Sequence, residues 1–190
     1  MSELLNQISN QISVVKDFPK KDIYFRNISP LLGHHKLFTA TIKLMAQLVR
    51  ESKLEFDYIA GMESRGFLFI QLASELGCGF VMLRKPGKLP NTISFTYQKE
   101  YGTDSLTIEK DVIPSGSKVL VVDDLVATGG TIYAAHELIR KIGSQVTGAI
   151  LLIELLGLKM NEQLMSFNLP ILSLLKYPFN TESKDLHSED

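Results

Sequence analysis

The chain has 190 residues, of which 45% are apolar, and its 20 basic and 21 acidic side chains give a formal net charge of −1. This length favours one compact domain with its own core, and the single cysteine, Cys78, excludes an internal disulfide. The balanced charge excludes a general electrostatic attraction to nucleic acid or to an anionic membrane, so any anion site must be built locally.

The beginning of the chain predicts an amphipathic helix, because Leu4, Leu5, Ile8 and Ile12 recur at helical spacing. It lacks the basic start and apolar run of a signal peptide, and no stretch of the sequence approaches the ~18 apolar residues of a membrane span. Cys78 lies among apolar residues, which is typical of a small buried filler. We therefore expect a protein of the reducing cytoplasm.

The next part of the chain alternates between helical and strand patterns. Residues 35–52 have helical periodicity, and residues 56–61 form a short apolar run that ends at a glycine. A second helix is predicted to open at residues 64–66 and to end near Gly77, and residues 79–83 predict another strand. This order is that of a βαβ unit.

Residues 84–101 are polar and basic, contain Pro86 and Pro90, and show no clean periodicity of either the helical or the strand kind. We expect a long mobile loop here, because long loops in compact domains usually act as lids or binding arms. An exposed hairpin is the alternative interpretation.

The second half of the chain continues the alternation. Residues 118–122 are a β-branched run, a helical pattern follows Gly130, and residues 146–154 and 171–175 predict two more strands around a short helix. The whole pattern predicts an α/β fold with a mainly parallel central sheet and helices on both faces. Its working site is expected at the carboxyl ends of the strands.

The segment 121–131 lies between a buried strand and a helix and is the most informative part of the sequence. Its small and hydroxyl residues let several backbone N–H groups converge where the positive end of the helix dipole points, an arrangement that suits a phosphate monoester. Thr128 and Thr131 add hydroxyl donors. The segment is neither a Walker loop, since no lysine precedes Thr131, nor a G-x-G-x-x-G fingerprint, which disfavours a nucleotide-binding NTPase.

Asp123 and Asp124 stand side by side in this segment. Adjacent carboxylates repel each other unless a cation or a hydrogen-bond donor lies opposite, and ribose hydroxyls or a magnesium ion would serve. The alternative, a helix-capping aspartate beside a solvated neighbour, accounts for only one of the two acids.

These residues resemble the phosphoribosyl pyrophosphate motif of the type I phosphoribosyltransferases. The resemblance covers almost the whole chain and is closest to the members that act on adenine. It is carried by Phe18-Pro19, Phe25-Arg26, Asp57-Tyr58-Ile59-Ala60-Gly61, Ser64-Arg65-Gly66-Phe67, Arg84-Lys85, Gly87-Lys88-Leu89-Pro90, Glu100-Tyr101-Gly102 and the segment 121–131.

The resemblance implies a single type I phosphoribosyltransferase domain over residues 1–180, with a mobile catalytic loop. The composition of residues 181–190 predicts a disordered acidic tail. It implies a glycosyltransferase of purine salvage that moves the 5-phosphoribosyl group from phosphoribosyl pyrophosphate to adenine, giving AMP and pyrophosphate. Mg²⁺ is expected to arrive with the diphosphate, near Asp123 and Asp124 and without a dedicated protein site. A homodimer is also implied.

The resemblance further assigns roles to individual residues. Glu100 would handle the proton of the base and Arg65 would assist catalysis. The sugar phosphate would contact Asp123, Asp124, Ala127, Thr128, Gly129, Gly130 and Thr131. Pyrophosphate would contact Glu63, Ser64, Arg65, Arg84, Lys85 and Lys88, the last three reaching across from the neighbouring subunit. Adenine would contact Phe25, Arg26 and Tyr101.

This chain departs from the family pattern beside the adenine segment. Lys21-Asp22 stands where the family usually has Pro-Gly, and Asn27 stands where an aspartate is common, so the backbone shape of the base pocket is in question. His34-His35 does not predict a metal site, because adjacent side chains point apart.

Three rival interpretations remain. The first is a phosphoribosyltransferase for hypoxanthine, guanine or xanthine, against which Phe25-Arg26 and Glu100-Tyr101 argue. The second is a nucleotide-sensing regulator without catalysis, for which the chain lacks a basic stripe. The third is a structural α/β subunit, which leaves the paired acids unexplained.

Overall fold

The computed structural model describes residues 2–99 and 102–182. The helices are α1 (Ser2–Asn10), α2 (Ser29–Gly33), α3 (His35–Ser52), a 3₁₀ helix (Arg65–Phe69), α4 (Ile70–Leu76), α5 (Gly130–Lys141) and α6 (Glu162–Ser166). The strands are β1 (Ser13–Lys16), β2 (Tyr24–Asn27), β3 (Tyr58–Met62), β4 (Gly79–Leu83), β5 (Thr92–Lys99), β6 (Gly102–Glu109), β7 (Lys118–Val126), β8 (Gln145–Leu156) and β9 (Ile171–Pro178).

The centre of the molecule is a five-stranded sheet with the order β4-β3-β7-β8-β9. All four neighbouring pairs are parallel. Helices lie in the crossovers from β3 to β4, from β7 to β8 and from β8 to β9, whereas the β5–β6 hairpin lies between β4 and β7. The predicted α/β fold with a mainly parallel sheet is therefore confirmed.

Both faces of this sheet are covered, as β7 illustrates. Val119 and Val121 belong to a core shared with α5, whereas Leu120 and Val122 belong to a second core shared with α1, α3 and α4. The alternation follows from the two-residue period of a strand, and it explains why the central strands are apolar almost throughout. Helices on both faces were predicted, and this is confirmed.

The prediction of a long irregular loop over residues 84–101 was wrong in its second half. Residues 92–99 form β5, which pairs antiparallel with β6, so the hairpin of the alternative interpretation is correct but its exposure is not. Ile93, Phe95 and Tyr97 alternate along β5, and their side chains pack on the core that contains α5. This two-residue period was present in the sequence and indicates a strand.

A second hairpin, β1–β2, was not predicted at all. Each of its strands has only four residues, too few for a clear period. It matters because β2 carries Phe25 and Arg26, the two residues of the expected adenine segment that lie within the described residues.

Among the described helices, none combines the length and the apolar character needed to cross a membrane. Cys78 is partly buried, and this burial raises the pKa of its thiol.

Candidate active site

A cavity of about 720 Å³ opens at the carboxyl ends of β3, β7 and β8. Ligands of open parallel sheets bind at this edge, and the volume suits a small molecule. The cavity is lined by Met62, Arg65, Tyr97, Asp123, Asp124, Leu125, Val126, Ala127, Thr128, Gly129, Gly130, Thr131, Ile132, Lys159, Met160, Asn161 and Glu162.

The loop between β7 and α5, residues 127–129, forms one end of this cavity together with the first turn of α5. Gly129 caps α5 with φ 78° and ψ 5°, a left-handed conformation that favours glycine. A Cβ at this position would collide with the Leu164 side chain and lie 2.8 Å from the Met160 sulfur. The N-terminus of a 12-residue helix therefore faces the cavity, which favours an anion there.

The acid pair lies inside β7, which extends to Val126, and not in a loop after a strand that ends at residue 122. Asp124 is 2% exposed. Burial, aided by the neighbouring Asp124 carboxylate, raises the pKa of Asp123 well above its ordinary value. Burial also raises the pKa of Asp124, although Arg65 opposes the shift. Such a buried pair is costly to keep ionised and suits a site that receives cations or hydroxyl donors.

Arg65 connects the acid pair to the base-binding segment. Its Nε lies 3.1 Å from Asp124 Oδ2, and its guanidinium lies over the Phe25 ring at 5.4 Å from the centroid. Asp124 Oδ2 is buried and accepts no well-directed hydrogen bond within the described residues, so the contact with Arg65 is an ion pair. The carboxylate thus keeps capacity for a further donor.

The position of Arg65 depends on a close approach between the 3₁₀ helix and β7. A Cβ at Gly66 would lie 2.8 Å from the Val122 carbonyl oxygen and 3.3 Å from Asp123 Oδ1. Only glycine fits between these groups without movement of the backbone. Ser64 stands at the N-cap position of this 3₁₀ helix but makes no side-chain capping hydrogen bond.

The basic residues expected to bind pyrophosphate are organised by Glu63. Arg84 donates from Nε to Glu63 Oε2 at 3.1 Å and from Nη2 to Oε1 at 3.3 Å, and the Lys85 backbone N–H donates to Oε2 at 2.9 Å. Arg84 also donates to the Lys88 carbonyl oxygen at 3.2 Å, and the Lys85 side chain pairs with Asp104. The cavity described above is not lined by Glu63, Arg84, Lys85 or Lys88.

The two residues of the adenine segment in β2 differ in where their side chains lie. Phe25 packs edge-on against Phe18 at 5.1 Å between centroids and faces Arg65. Arg26 is 2% exposed, donates to the carbonyl oxygens of Pro178 (3.2 Å) and Thr181 (2.9 Å), and lies over a tyrosine ring of β9. The Arg26 side chain therefore binds the end of β9, which leaves its backbone for any contact with a base.

The departures from the family pattern have structural explanations. Asp22, at the usual glycine position, has φ 66°, a left-handed conformation that aspartate tolerates better than most residues. Its N–H donates to Asp17 Oδ1 at 2.7 Å. Asn27 donates to Ser13 Oγ at 3.1 Å and accepts from the Ser29 N–H at 3.0 Å. Both residues stabilise the hairpin and its connection to α2.

Some expectations lie outside the described residues or have no counterpart within them. Glu100, Tyr101 and residues 183–190 lie outside. Within the described ranges, no group of three or more His, Cys, Asp or Glu side chains could hold a metal ion. His34 caps α3 by accepting the Leu37 N–H at 3.4 Å.

The sequence interpretation missed several residues that line the cavity. Leu125 and Val126 lie within the segment already singled out, and Tyr97 lies in the strand that was predicted as loop. Residues 159–162 follow β8, the neighbour of β7 in the sheet. The rule that sites lie at carboxyl ends of adjacent strands, applied to β8, would have indicated them.

Comparison with known families places this geometry in context. Residues 27–165 match the model of the phosphoribosyl transferase domain. An adenine phosphoribosyltransferase of a Thermoanaerobacter species is 47% identical over 175 residues, which are 91% of this chain and 99% of that protein. The adenine phosphoribosyltransferase of Mycoplasma mobile is also 47% identical, over 91% of this chain and 98% of that protein.

Solved structures give the same picture. The adenine phosphoribosyltransferase of Thermoanaerobacter pseudethanolicus has a TM-score of 0.85 and 46% identity, covering 91% of this chain and 99% of that one. The Saccharomyces cerevisiae adenine phosphoribosyltransferase, complexed with an imino-altritol bisphosphate and adenine, has a TM-score of 0.84 and 36% identity, covering 92% and 100%.

Proposed function

Because this chain belongs to the phosphoribosyl transferase family, we propose that it transfers the 5-phosphoribosyl group from phosphoribosyl pyrophosphate to adenine, giving AMP and pyrophosphate in purine salvage. The observation that carries this proposal is the convergence, in one cavity, of an anion-binding helix N-terminus and a buried acid pair. Arg65 joins that pair to the Phe25 ring.

The sugar phosphate occupies the β7–α5 end of the cavity. The 5-phosphate is bound by backbone N–H groups and hydroxyls of residues 127–131, and the ribose hydroxyls donate to the acid pair. The unfilled capacity of Asp124 Oδ2 and the raised pKa values of both carboxyl groups support this role. A ligand that brings donors or positive charge removes the cost of their burial.

Pyrophosphate is bound by Arg65, by Ser64 and by the group of residues that Glu63 organises. Arg84, Lys85 and Lys88 provide the positive charge, and the partner subunit of a homodimer presents them. Their position outside the cavity within one chain supports a site completed by a second chain. Sedimentation of the purified protein should give twice the 21.3 kDa of one chain, whereas a monomer that is fully active would contradict this part of the proposal.

Mg²⁺ enters with the sugar diphosphate. Asp123 and Asp124 would hold the ion together with the sugar diphosphate, since carboxylate oxygens are donors that a hard cation prefers. When bound, the ion neutralises the charge of the leaving pyrophosphate. Arg65 and the acid pair line the same cavity and hold the ribose there.

Adenine stacks on Phe25, and the backbone of Arg26 reads its edge. Glu100, beside Tyr101, moves the proton of the base as it attacks the ribose carbon from the face opposite to pyrophosphate. The Glu100→Gln variant should lower kcat and leave the affinity for the sugar diphosphate nearly unchanged. A large loss of affinity with an unchanged kcat would contradict this role.

The first experiment measures pyrophosphate release from phosphoribosyl pyrophosphate and magnesium with adenine, hypoxanthine, guanine or xanthine in separate reactions. We expect turnover with adenine alone. Turnover with a 6-oxopurine instead would overturn the base assignment, and no turnover with any base would favour the regulator. We also propose a cytoplasmic setting, which is supported by the single cysteine, because one cysteine cannot form a disulfide within the chain.

The role of Glu63 can be tested separately. The hydrogen bonds from Arg84 lower the pKa of Glu63, so the pair stays charged at neutral pH. Glu63→Gln should loosen Arg84 and Lys85 and weaken inhibition by pyrophosphate by about threefold to tenfold, with little change in the KM for adenine. Glu55→Gln, which removes an exposed ion pair with Lys118, is the matched control. Equal inhibition constants for the two variants would contradict the proposed tether.

A further inference from the structure

One wall of the cavity belongs to no motif of the sequence. Residues 159–164, here called the wall segment, connect β8 to α6 and include its first turn. Four of these residues, 159–162, line the cavity beside the β7–α5 loop. Lys159 and Glu162 pair with each other at 2.5 Å and are both largely exposed, so they do not hold the wall segment in place.

Asn161 connects the wall segment to the β7–α5 loop. Its backbone N–H donates to the Thr128 carbonyl oxygen at 2.7 Å. Its side chain accepts the Leu164 N–H at 2.9 Å and so caps α6. One residue therefore fixes both the loop and the start of the helix that packs beside it.

The bond to Thr128 determines the direction of an amide donor in the loop. The Thr128 carbonyl and the Gly129 N–H belong to one peptide unit, which is planar and trans, so the two groups point in opposite directions. Because Asn161 holds the carbonyl, the Gly129 N–H can rotate only if that hydrogen bond breaks. Phosphate binding at a helix N-terminus depends on the directions of such N–H groups.

The capped helix restrains the same glycine from its other side. Leu164 is 1% exposed and lies where a Gly129 Cβ would be, and the Met160 sulfur lies close by. Gly129 has a left-handed φ of 78°, which glycine adopts without steric cost. Packing of Leu164 therefore holds the loop in the observed conformation, and the Asn161 cap holds Leu164.

We propose that Asn161 is a positioning residue for phosphate binding, which orients the Gly129 N–H through the Thr128 carbonyl and the Leu164 contact. The inference rests on the proposed function, since it assumes that the β7–α5 loop receives the 5-phosphate. It predicts a defect confined to phosphate recognition. Ribose contacts, which the acid pair makes, should be preserved, and so should base contacts, which are assigned to Phe25 and Arg26 outside the residues that line the cavity.

Three variants separate the two hydrogen bonds of Asn161, which are the backbone bond to Thr128 and the side-chain bond from Leu164. Asn161→Ser keeps both the backbone N–H and a neutral capping oxygen, and Asn161→Ala keeps only the N–H. Asn161→Pro removes both, and the φ of −56° at this position is one that proline adopts. His34→Ala, which removes the cap of α3 away from the cavity, is the matched control.

The measurement is the dissociation constant of AMP and of adenosine by calorimetry, with the KM of phosphoribosyl pyrophosphate and of adenine by kinetics. We expect Asn161→Ala to weaken AMP binding by about threefold to tenfold and Asn161→Pro to weaken it further. Asn161→Ser and His34→Ala should stay within about twofold of the wild type. Adenosine binding and the KM of adenine should be unchanged in all four variants.

The outcomes are distinct. If Asn161→Ala and Asn161→Pro bind AMP as tightly as the wild type, or if AMP and adenosine affinities fall in equal proportion, the positioning role is wrong. If Asn161→Pro does not fold, the comparison of Asn161→Ala with Asn161→Ser decides in the same way. A wild-type protein that binds no AMP would overturn the proposed function, and the inference with it, before any variant is compared.

Discussion

Asp123 and Asp124 are two adjacent carboxyl groups that a fold without a ligand would avoid burying. Their pKa values are raised chiefly by burial, and the charge of Asp124 adds to the shift at Asp123. The free protein therefore gives up stability at this site, as functional sites commonly do. Because of this cost, we expect that removal of the Asp123 charge raises the free energy of unfolding.

The Asp123→Asn variant should be more stable than the wild type at neutral pH and nearly inactive. The folded protein holds the Asp123 proton at pH values where the unfolded chain, with a pKa of about 3.9, has lost it. The contribution that the protonated Asp123 makes to wild-type stability is thus fully present below that value, and it is lost as the pH rises through the raised pKa of the folded state. Asparagine carries no charge, so the difference in stability between Asp123→Asn and the wild type should be absent in acid and grow as the pH rises.

Thermal unfolding from pH 4 to pH 8 measures this difference. We expect the Tm of Asp123→Asn to exceed that of the wild type by at least about 2–4 °C at pH 8, the shift that 1 kcal/mol produces in a domain of this size. Turnover should fall on the order of 100-fold. Asp111→Asn, at an exposed carboxylate, is the control. A lower Tm for Asp123→Asn at pH 8 would show that the carboxylate is stabilising.

At the scale of elements, the site depends on how closely the 3₁₀ helix approaches β7. Gly66 permits this approach, because its missing side chain leaves room for the Val122 carbonyl oxygen. Arg65 is adjacent and meets Asp124 across the same gap. The sequence indicated a helix near this point, but the distance between helix and strand is a property of their packing.

The Gly66→Ala variant should displace the 3₁₀ helix and separate Arg65 from Asp124. A methyl group 2.8 Å from a backbone oxygen forces a shift, and overpacking of this kind costs about 1–3 kcal/mol. We expect kcat/KM for phosphoribosyl pyrophosphate to fall on the order of tenfold or more. Steady-state kinetics and urea denaturation measure both effects.

The matched control is Gly33→Ala, in α2, where an added Cβ meets nothing within 4 Å. That change should leave kinetics unaltered and raise stability by up to about 1 kcal/mol, because alanine loses less entropy in a helix. Equal activity of the two variants would mean that the close approach at Gly66 is not needed.

At the scale of the whole molecule, Arg26 joins the N-terminal hairpin to the end of β9. It bonds two carbonyl oxygens there and lies 4.5 Å from the centroid of the Tyr177 ring, whose hydroxyl group donates to Ser9 in α1. Burial lowers the pKa of its guanidinium. The hairpin and the end of β9 thus meet at one buried cation, and Tyr177 connects this point to α1. The cation is next to the residue expected to stack on the base.

The Arg26→Met variant should lose about 2–4 kcal/mol of unfolding free energy, because the carbonyl oxygens of Pro178 and Thr181 lose a buried charged donor. The KM for adenine should rise more than that for phosphoribosyl pyrophosphate, since Phe25 is the neighbour of Arg26. Denaturation and kinetics with each substrate varied give these values. Arg140→Ala, at an exposed guanidinium that pairs with the partly buried Glu137, should change the unfolding midpoint much less. Equal rises in the two KM values would indicate a general loss of structure.

The sequence by itself determined the α/β class, the order of the parallel-sheet strands along the chain and the segment that carries the chemistry. It could do so because burial on both faces requires continuous apolar runs, and because Asp123, Asp124 and residues 127–131 are contiguous in sequence. A motif of contiguous residues can be recognised in the sequence without knowing which distant residues it contacts.

Only the tertiary structure decided which residues meet across the chain. It showed that Asp123 and Asp124 lie inside a strand, that Arg26 faces the end of β9, that Glu63 holds Arg84, and that Asn161 bonds Thr128. None of these pairs is close in sequence except the two acids, and their contacts arise from strand order and helix packing. The strand β5 was missed although its alternation was present. Its apolar side chains are buried only because they pack on the core that contains α5, and this packing is a tertiary contact.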